Sequence, residues 1–199
     1  MSVCSYTDMM KIILLPLLLL FSVSAFSMTI ADVTLSEELD STQETPNLKL
    51  NGAALRELYL LVETYVGALY LETPSHNPQV ILNSEQHKRM EFHILMKKIS
   101  ARRLSKALHE ALLLNINEEE HHNLKSNIDT MLSYFEGNLR VGDKVVFQYT
   151  PSVGTKVSIG DDTKGIIPGR DFYTAILKIW LGESPVSREF KEHILGVNV

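Results

Sequence analysis

Residues 141–196 read VGDKVVFQYTPSVGTKVSIGDDTKGIIPGRDFYTAILKIWLGESPVSREFKEHILG. Two short runs rich in β-branched and aromatic residues, Val145 to Tyr149 and Thr155 to Ile159, meet through a turn that carries Gly154. Both predict strands. Asp161-Asp162 turns the chain into a short third strand near Ile166-Ile167. The period then changes. Phe172, Ala175, Ile176, Ile179 and Trp180 recur at helical spacing and stop at Gly182. Ser184-Pro185 suits an N-cap and first helical position. Phe190, Ile194 and Leu195 give the last helix an apolar face, closed by Gly196. Hairpins followed by small amphipathic helices predict an α+β fold: mostly antiparallel strands, with the helices packed on one face.

Upstream, the apolar run from Leu58 to Leu71 is rich in Val, Tyr and Thr. It reads as one strand or two paired strands, with a helix as the alternative because Leu and Ala are also abundant. Gly67 interrupts it and marks a bulge or a close backbone approach. Pro74 to Pro78 reads as a loop, and Ser84 as the cap of a short helical turn. From Arg89 to Lys97 polarity alternates. Met90, Phe92, Ile94 and Met96 point one way, and Arg89, Glu91 and His93 the other, which predicts a half-buried strand. Leu104, Leu108 and Leu112, with Ala107 and Ala111, then follow a helical stripe. Asn117 and Glu120 have the spacing of a capping box. They open a helix whose apolar face is Leu124, Ile128, Met131, Leu132 and Phe135, ended by Gly137.

The N-terminus has a different logic. Lys11 precedes the run from Ile12 to Phe21, and small residues follow. That is the pattern of a secretory signal, with cleavage after Ala25 or Ser27. The run is about ten residues, short of the ~20 that span a bilayer; a retained anchor is the alternative. Translation from Met9 or Met10 would keep every feature the signal needs. The division predicted is therefore a signal peptide over 1–27, an N-terminal arm or first strand over 28–47, and one domain over 48–199, in a periplasmic or secreted protein. The one cysteine, Cys4, precedes the apolar run, so the mature chain has no disulfide or thiol chemistry. About 170 residues suffice for a single ordinary core. The formal net charge is −5 and stays so after loss of Lys11 and Asp8 with the signal. A nucleic-acid partner wants a basic face, which this balance argues against.

The chain has seven histidines, but their arrangement does not predict a metal site. Glu118 to His122 occupies a first helical turn, where carboxylates favour the helix dipole. His121 and His122 point roughly 100° apart on a helix. His93 and His109 stand alone and read as exposed. There is no HExxH pattern and no serine elbow, and Gly160 to Gly165 is a hairpin turn rather than a phosphate loop. Neither cofactor nor metal is expected. Arg56 differs: it stands beside the long apolar run, where a guanidinium can meet a carboxylate at the mouth of an apolar pocket. Tyr65 lies nine residues on, and its hydroxyl can share that anion. The plain reading is a rim arginine paired with Glu57 or Glu63 and a tyrosine ring in the core.

Asn51-Gly-Ala-Ala-Leu-Arg56, Tyr65-Val-Gly-Ala-Leu-Tyr-Leu71 and the run from Tyr149 to Gly196 together resemble the chalcone isomerase-like family. The resemblance covers residues 48–196. It implies an open-faced β-sandwich: a large antiparallel sheet with a layer of helices on one face and a ligand cleft between them. It also implies that Arg56 matches the family's arginine, with Tyr65 at the position of its catalytic threonine and Thr64 one residue away. The family's catalytic tyrosine and asparagine fall near Leu104 and Ala111, both apolar. Arg56 with Tyr65 is similar to the arginine–tyrosine pair with which non-catalytic fatty-acid-binding members hold a carboxylate. The expectation is therefore non-catalytic binding of a fatty acid or similar amphipathic carboxylate. The alternatives are an intramolecular lyase (isomerase), with Arg56 and Tyr65 as its catalytic residues, and a structural or interaction protein of the envelope.

Overall fold

The computed structural model describes residues 27–58 and 62–197. The predicted signal segment up to Phe26 lies outside them, as do residues 59–61 of the long apolar run. The N-terminal stretch forms a hairpin, β1 (Ser27–Ile30) and β2 (Val33–Ser36), and a short strand β3 (Glu38–Leu39). β4 (Leu48–Leu58) and β5 (Val62–Leu71) follow, then α1 (Pro78–Asn83), β6 (Lys88–Ile94), β7 (Ile99–Ser100), α2 (Ala101–Leu113) and α3 (Glu118–Ser133). The chain closes with β8 (Asn138–Leu139), β9 (Lys144–Thr150), β10 (Gly154–Ile159), β11 (Asp162–Ile167), α4 (Arg170–Leu181) and α5 (Arg188–Ile194).

Seven strands make one antiparallel sheet in the order β11-β10-β9-β6-β5-β4-β3. The large antiparallel sheet, with its helices on one face, is the α+β architecture the sequence predicts. Alternate residues explain the two faces. Ala54, Leu69, Met90, Phe92, Phe147 and Val157 face the helices and join the apolar stripes of α2, α3, α4 and α5 in the main core. Ala53, Val66, Ala68 and Tyr70 face the other way and are covered by Leu35 and the β1–β2 hairpin. The helix caps follow from local chemistry. Asn117 accepts from the Glu120 backbone N–H while Glu120 reaches back to the Asn117 N–H, the full capping box. Gly196 takes a left-handed φ of 67° just past α5, where glycine costs least.

Several local expectations need correction. Of the apolar run, Leu58 ends β4 and residues 62–71 form the strand β5, so the strand reading holds there and the helix alternative does not. Gly67 carries no bulge: the register shifts lie at Leu50/Gly52 and Arg56/Glu57. What approaches Gly67 is a side chain, the Phe190 ring. Ser84 does cap a short helix, at the C-terminal end of α1, and Asn77 caps its start. α5 starts after Ser187, whose hydroxyl accepts from Phe190 N; Ser184 instead bonds Asn115 through its backbone. Ala107 faces solvent, and Phe135 packs in the core two residues beyond α3. β6 is buried on both faces, because Glu91 and His93 are covered rather than solvated.

Candidate functional site

The β4–β5 hairpin sets Arg56 directly opposite Tyr65. Directly opposed residues of an antiparallel pair project on the same face, here the one toward the helices. The neighbouring Thr64 donates its hydroxyl to the Arg56 carbonyl at 2.6 Å. Register therefore puts Tyr65, not Thr64, on the same sheet face as Arg56. The guanidinium donates to the backbone carbonyl of Glu57 through Nη1. This is neither of the carboxylate pairings considered for a rim arginine.

The Tyr65 ring lies in an aromatic cluster. Phe92 and Phe190 meet it edge-on at centroid distances of 5.1 and 5.8 Å, and Phe92 lies 4.7 Å from Trp180. Offset and edge-on pairs of this kind add to plain burial. Trp180 Nε1 donates to the Tyr65 hydroxyl at 3.1 Å. An indole N–H can only donate, so the phenol oxygen is the acceptor and its own hydrogen points elsewhere. Burial pushes the Tyr65 phenol up to about 12; the Trp180 hydrogen bond and the Arg56 charge oppose that rise without cancelling it. At neutral pH Tyr65 is a neutral donor beside a permanent cation. Leu104 and Ala111 pack against the same core and offer no polar atom.

Other functional groups escaped the sequence reading. Lys88 is buried on β6, where its Nζ donates to Ile81 O at 2.7 Å. It lies 5.6 and 5.9 Å from the rings of Tyr149 and Tyr173, which stack on each other. Tyr149 donates to Glu85, which pairs with Arg170 at 3.0 Å. Desolvation, with the Arg170 charge, pulls the Lys88 ammonium down to about 8 against an opposing pull from Glu85. A lysine opening an alternating strand gives no sign of this burial. On the other sheet face Arg89, Glu91 and His93 form a hydrogen-bonded row. His93, read as exposed, is 7% exposed. His109 is half-buried, with its ring 6.4 Å from that of His121.

A family model described as chalcone isomerase-like matches residues 27–196. No curated protein sequence matches the chain. Among solved structures, the crystal structure of an Arabidopsis thaliana fatty-acid binding protein superposes with a TM-score of 0.65. The two are 14% identical, and the match covers 85% of this chain and 96% of the other. At that identity the likeness concerns the fold. Among the described residues, no helix is long and apolar enough to cross a membrane.

Proposed function

The chain belongs to the chalcone isomerase-like family, and from that premise we propose that it binds a fatty acid or similar amphipathic carboxylate without transforming it. The observation that carries this reading is the register of Arg56 against Tyr65 at the edge of an apolar layer. A carboxylate placed there accepts from the Arg56 guanidinium, a charge-assisted bond, and from the Tyr65 hydroxyl hydrogen that Trp180 leaves available. The tail enters the apolar layer of Phe92, Trp180 and Phe190, whose rings are packed together in this structure and part to admit it, each Å² of tail removed from water contributing ~25 cal/mol. The fatty-acid binding described for the Arabidopsis neighbour supports the same ligand class.

Two features favour binding over chemistry. Leu104 and Ala111 stand where the resemblance puts the remaining groups of the isomerase reaction, and neither can move a proton. A phenol held near 12 is also a poor base at neutral pH. The N-terminal pattern, Lys11, the run Ile12 to Phe21 and the small residues after it, supports export to the periplasm or beyond.

The test is native mass spectrometry of the protein purified from its own host, with organic extraction of bound lipid. A stoichiometric fatty acid, lost in Arg56→Ala, supports the reading. An empty protein whose melting temperature does not rise with fatty-acid concentration overturns it, since a ligand specific to the folded state must stabilise by mass action. Chalcone closure faster than buffer, abolished by Arg56→Ala, would put the isomerase in its place.

A further inference from the structure

The sheet face opposite the helices holds a polar arrangement independent of Arg56 and Tyr65. Glu91 and Gln148 are 3% and 6% exposed there. One Glu91 oxygen accepts from Arg89 Nε at 2.8 Å and lies 2.8 Å from Arg89 Nη2; the other lies 2.8 Å from His93 Nε2. Burial opposes the Glu91 charge, but His93 and Arg89 outweigh it and hold the carboxyl below its ordinary range. A buried ion pair is seldom better for stability than apolar residues of the same size. Its clear effect here is positional: it fixes one edge of the Arg89 guanidinium.

Arg89 and its cross-strand partner Gln148 line a cavity of about 330 Å³ between the sheet and residues 36–48. Glu38 and Asp40 line it from that segment, with Leu39 and Leu48 as apolar wall. The segment is tied in place. Asn47 donates to Glu38 and accepts from Ser41 N, and Glu44 pairs with Lys156 on β10.

The wall charges select the ligand. A simple anion would suit Arg89 and meet Glu38 and Asp40. A simple cation would suit the acids and meet Arg89. A small molecule carrying both charges satisfies each wall, and the volume suits a compact one. We propose that this cavity binds a free α-amino acid. The carboxylate lies on Arg89 and Gln148, the ammonium on Glu38 and Asp40, and a small apolar side chain toward Leu39 and Leu48.

The experiment is calorimetric titration of the purified protein with each of the standard amino acids, with acetate and ethylamine as single-charge probes. At least one small apolar amino acid binds, and acetate and ethylamine bind more than about tenfold more weakly. Arg89→Lys keeps a cation beside Glu91 but loses the fork, and it weakens amino-acid binding about tenfold or more, as does the double variant Glu38→Gln/Asp40→Asn. Arg56→Ala leaves it unchanged, which separates this site from the fatty-acid reading. The proposal is overturned if no amino acid binds, if acetate or ethylamine binds as tightly, or if binding survives both Arg89→Lys and the acidic double variant.

Discussion

A Cβ built on Gly67 would stand 2.6 Å from Cζ of Phe190. The Phe190 ring thus lies against bare backbone in the middle of β5, and it joins the α5 carbonyls that pack on Gly52 of β4 in seating α5 on the sheet. Gly67→Ala should overpack this contact and destabilise the protein by about 1–3 kcal/mol. Phe190→Leu in the Gly67→Ala background should recover part of that loss, because the shorter side chain leaves room. Urea unfolding of the two variants decides it: equal midpoints would mean that the ring does not oppose the new methyl.

Glu91 carries the second prediction. Its folded carboxyl titrates below the ordinary value of 4.5. The unfolded chain therefore binds the proton more readily, so this group's stabilisation is present above about pH 4.5 and is lost as pH falls below it. Glu91→Ala leaves Arg89 and His93 without their shared carboxylate and should cost about 3–5 kcal/mol at pH 7. The gap between wild type and variant should narrow toward pH 3. A gap that holds constant from pH 7 to pH 3 would show that the carboxylate charge contributes nothing.

How far the sequence foretells this molecule depends on what its signals report. Asn117 and Glu120 state a helix start in full, because both halves of the capping box are local. The alternation from Arg89 to Ile94 reports that the two faces differ, but not whether the polar one is wet. Burial of Glu91 and His93 depends on chain far away in sequence. Ser184 and Ser187 both offer a cap, and the choice is made by Asn115, 69 residues away. The pairing of Arg56 with Tyr65 needed only the hairpin register. Trp180 as the partner of Tyr65 comes from α4, 115 residues on, and no spacing rule connects them.

Lys88 gives an alkaline prediction. Its ammonium titrates near 8 in the fold against an ordinary 10.5. The charged form is the penalised one, so the cost is present below about pH 8 and fades as pH rises toward 10.5. Stability should climb between pH 8 and 10 with a contribution of up to about 1.4 kcal/mol per pH unit. Above pH 10 the trend reverses, because Tyr65 and Tyr149, both raised to about 12, ionise first in the unfolded chain. Lys88→Met should abolish the climb and keep the fall. Unfolding midpoints at pH 7.5, 9 and 10 for both proteins test this, and parallel curves would rule Lys88 out as the source.

Tyr65 and Arg56 are separable by what each does without ligand. Trp180 is buried, and its indole N–H needs an acceptor. Tyr65→Phe removes that acceptor and should destabilise the unliganded protein by about 1–3 kcal/mol, the cost of an orphaned buried donor. Trp180→Phe in the same background leaves no donor to strand, so the double variant should lose less than the sum of the single changes. The Arg56 guanidinium hydrogen-bonds only a neighbouring carbonyl among the described residues, and the Thr64 bond to the Arg56 backbone survives the change, so Arg56→Ala should shift unliganded stability by no more than about 0.5 kcal/mol. Fatty-acid binding should weaken in both Tyr65→Phe and Arg56→Ala, by about tenfold or more for the arginine because its bond to the carboxylate is charge-assisted. Thermal melts with and without laurate distinguish the two effects. If Arg56→Ala leaves the laurate-induced rise in melting temperature intact, the arginine is only a rim residue and the head group lies elsewhere.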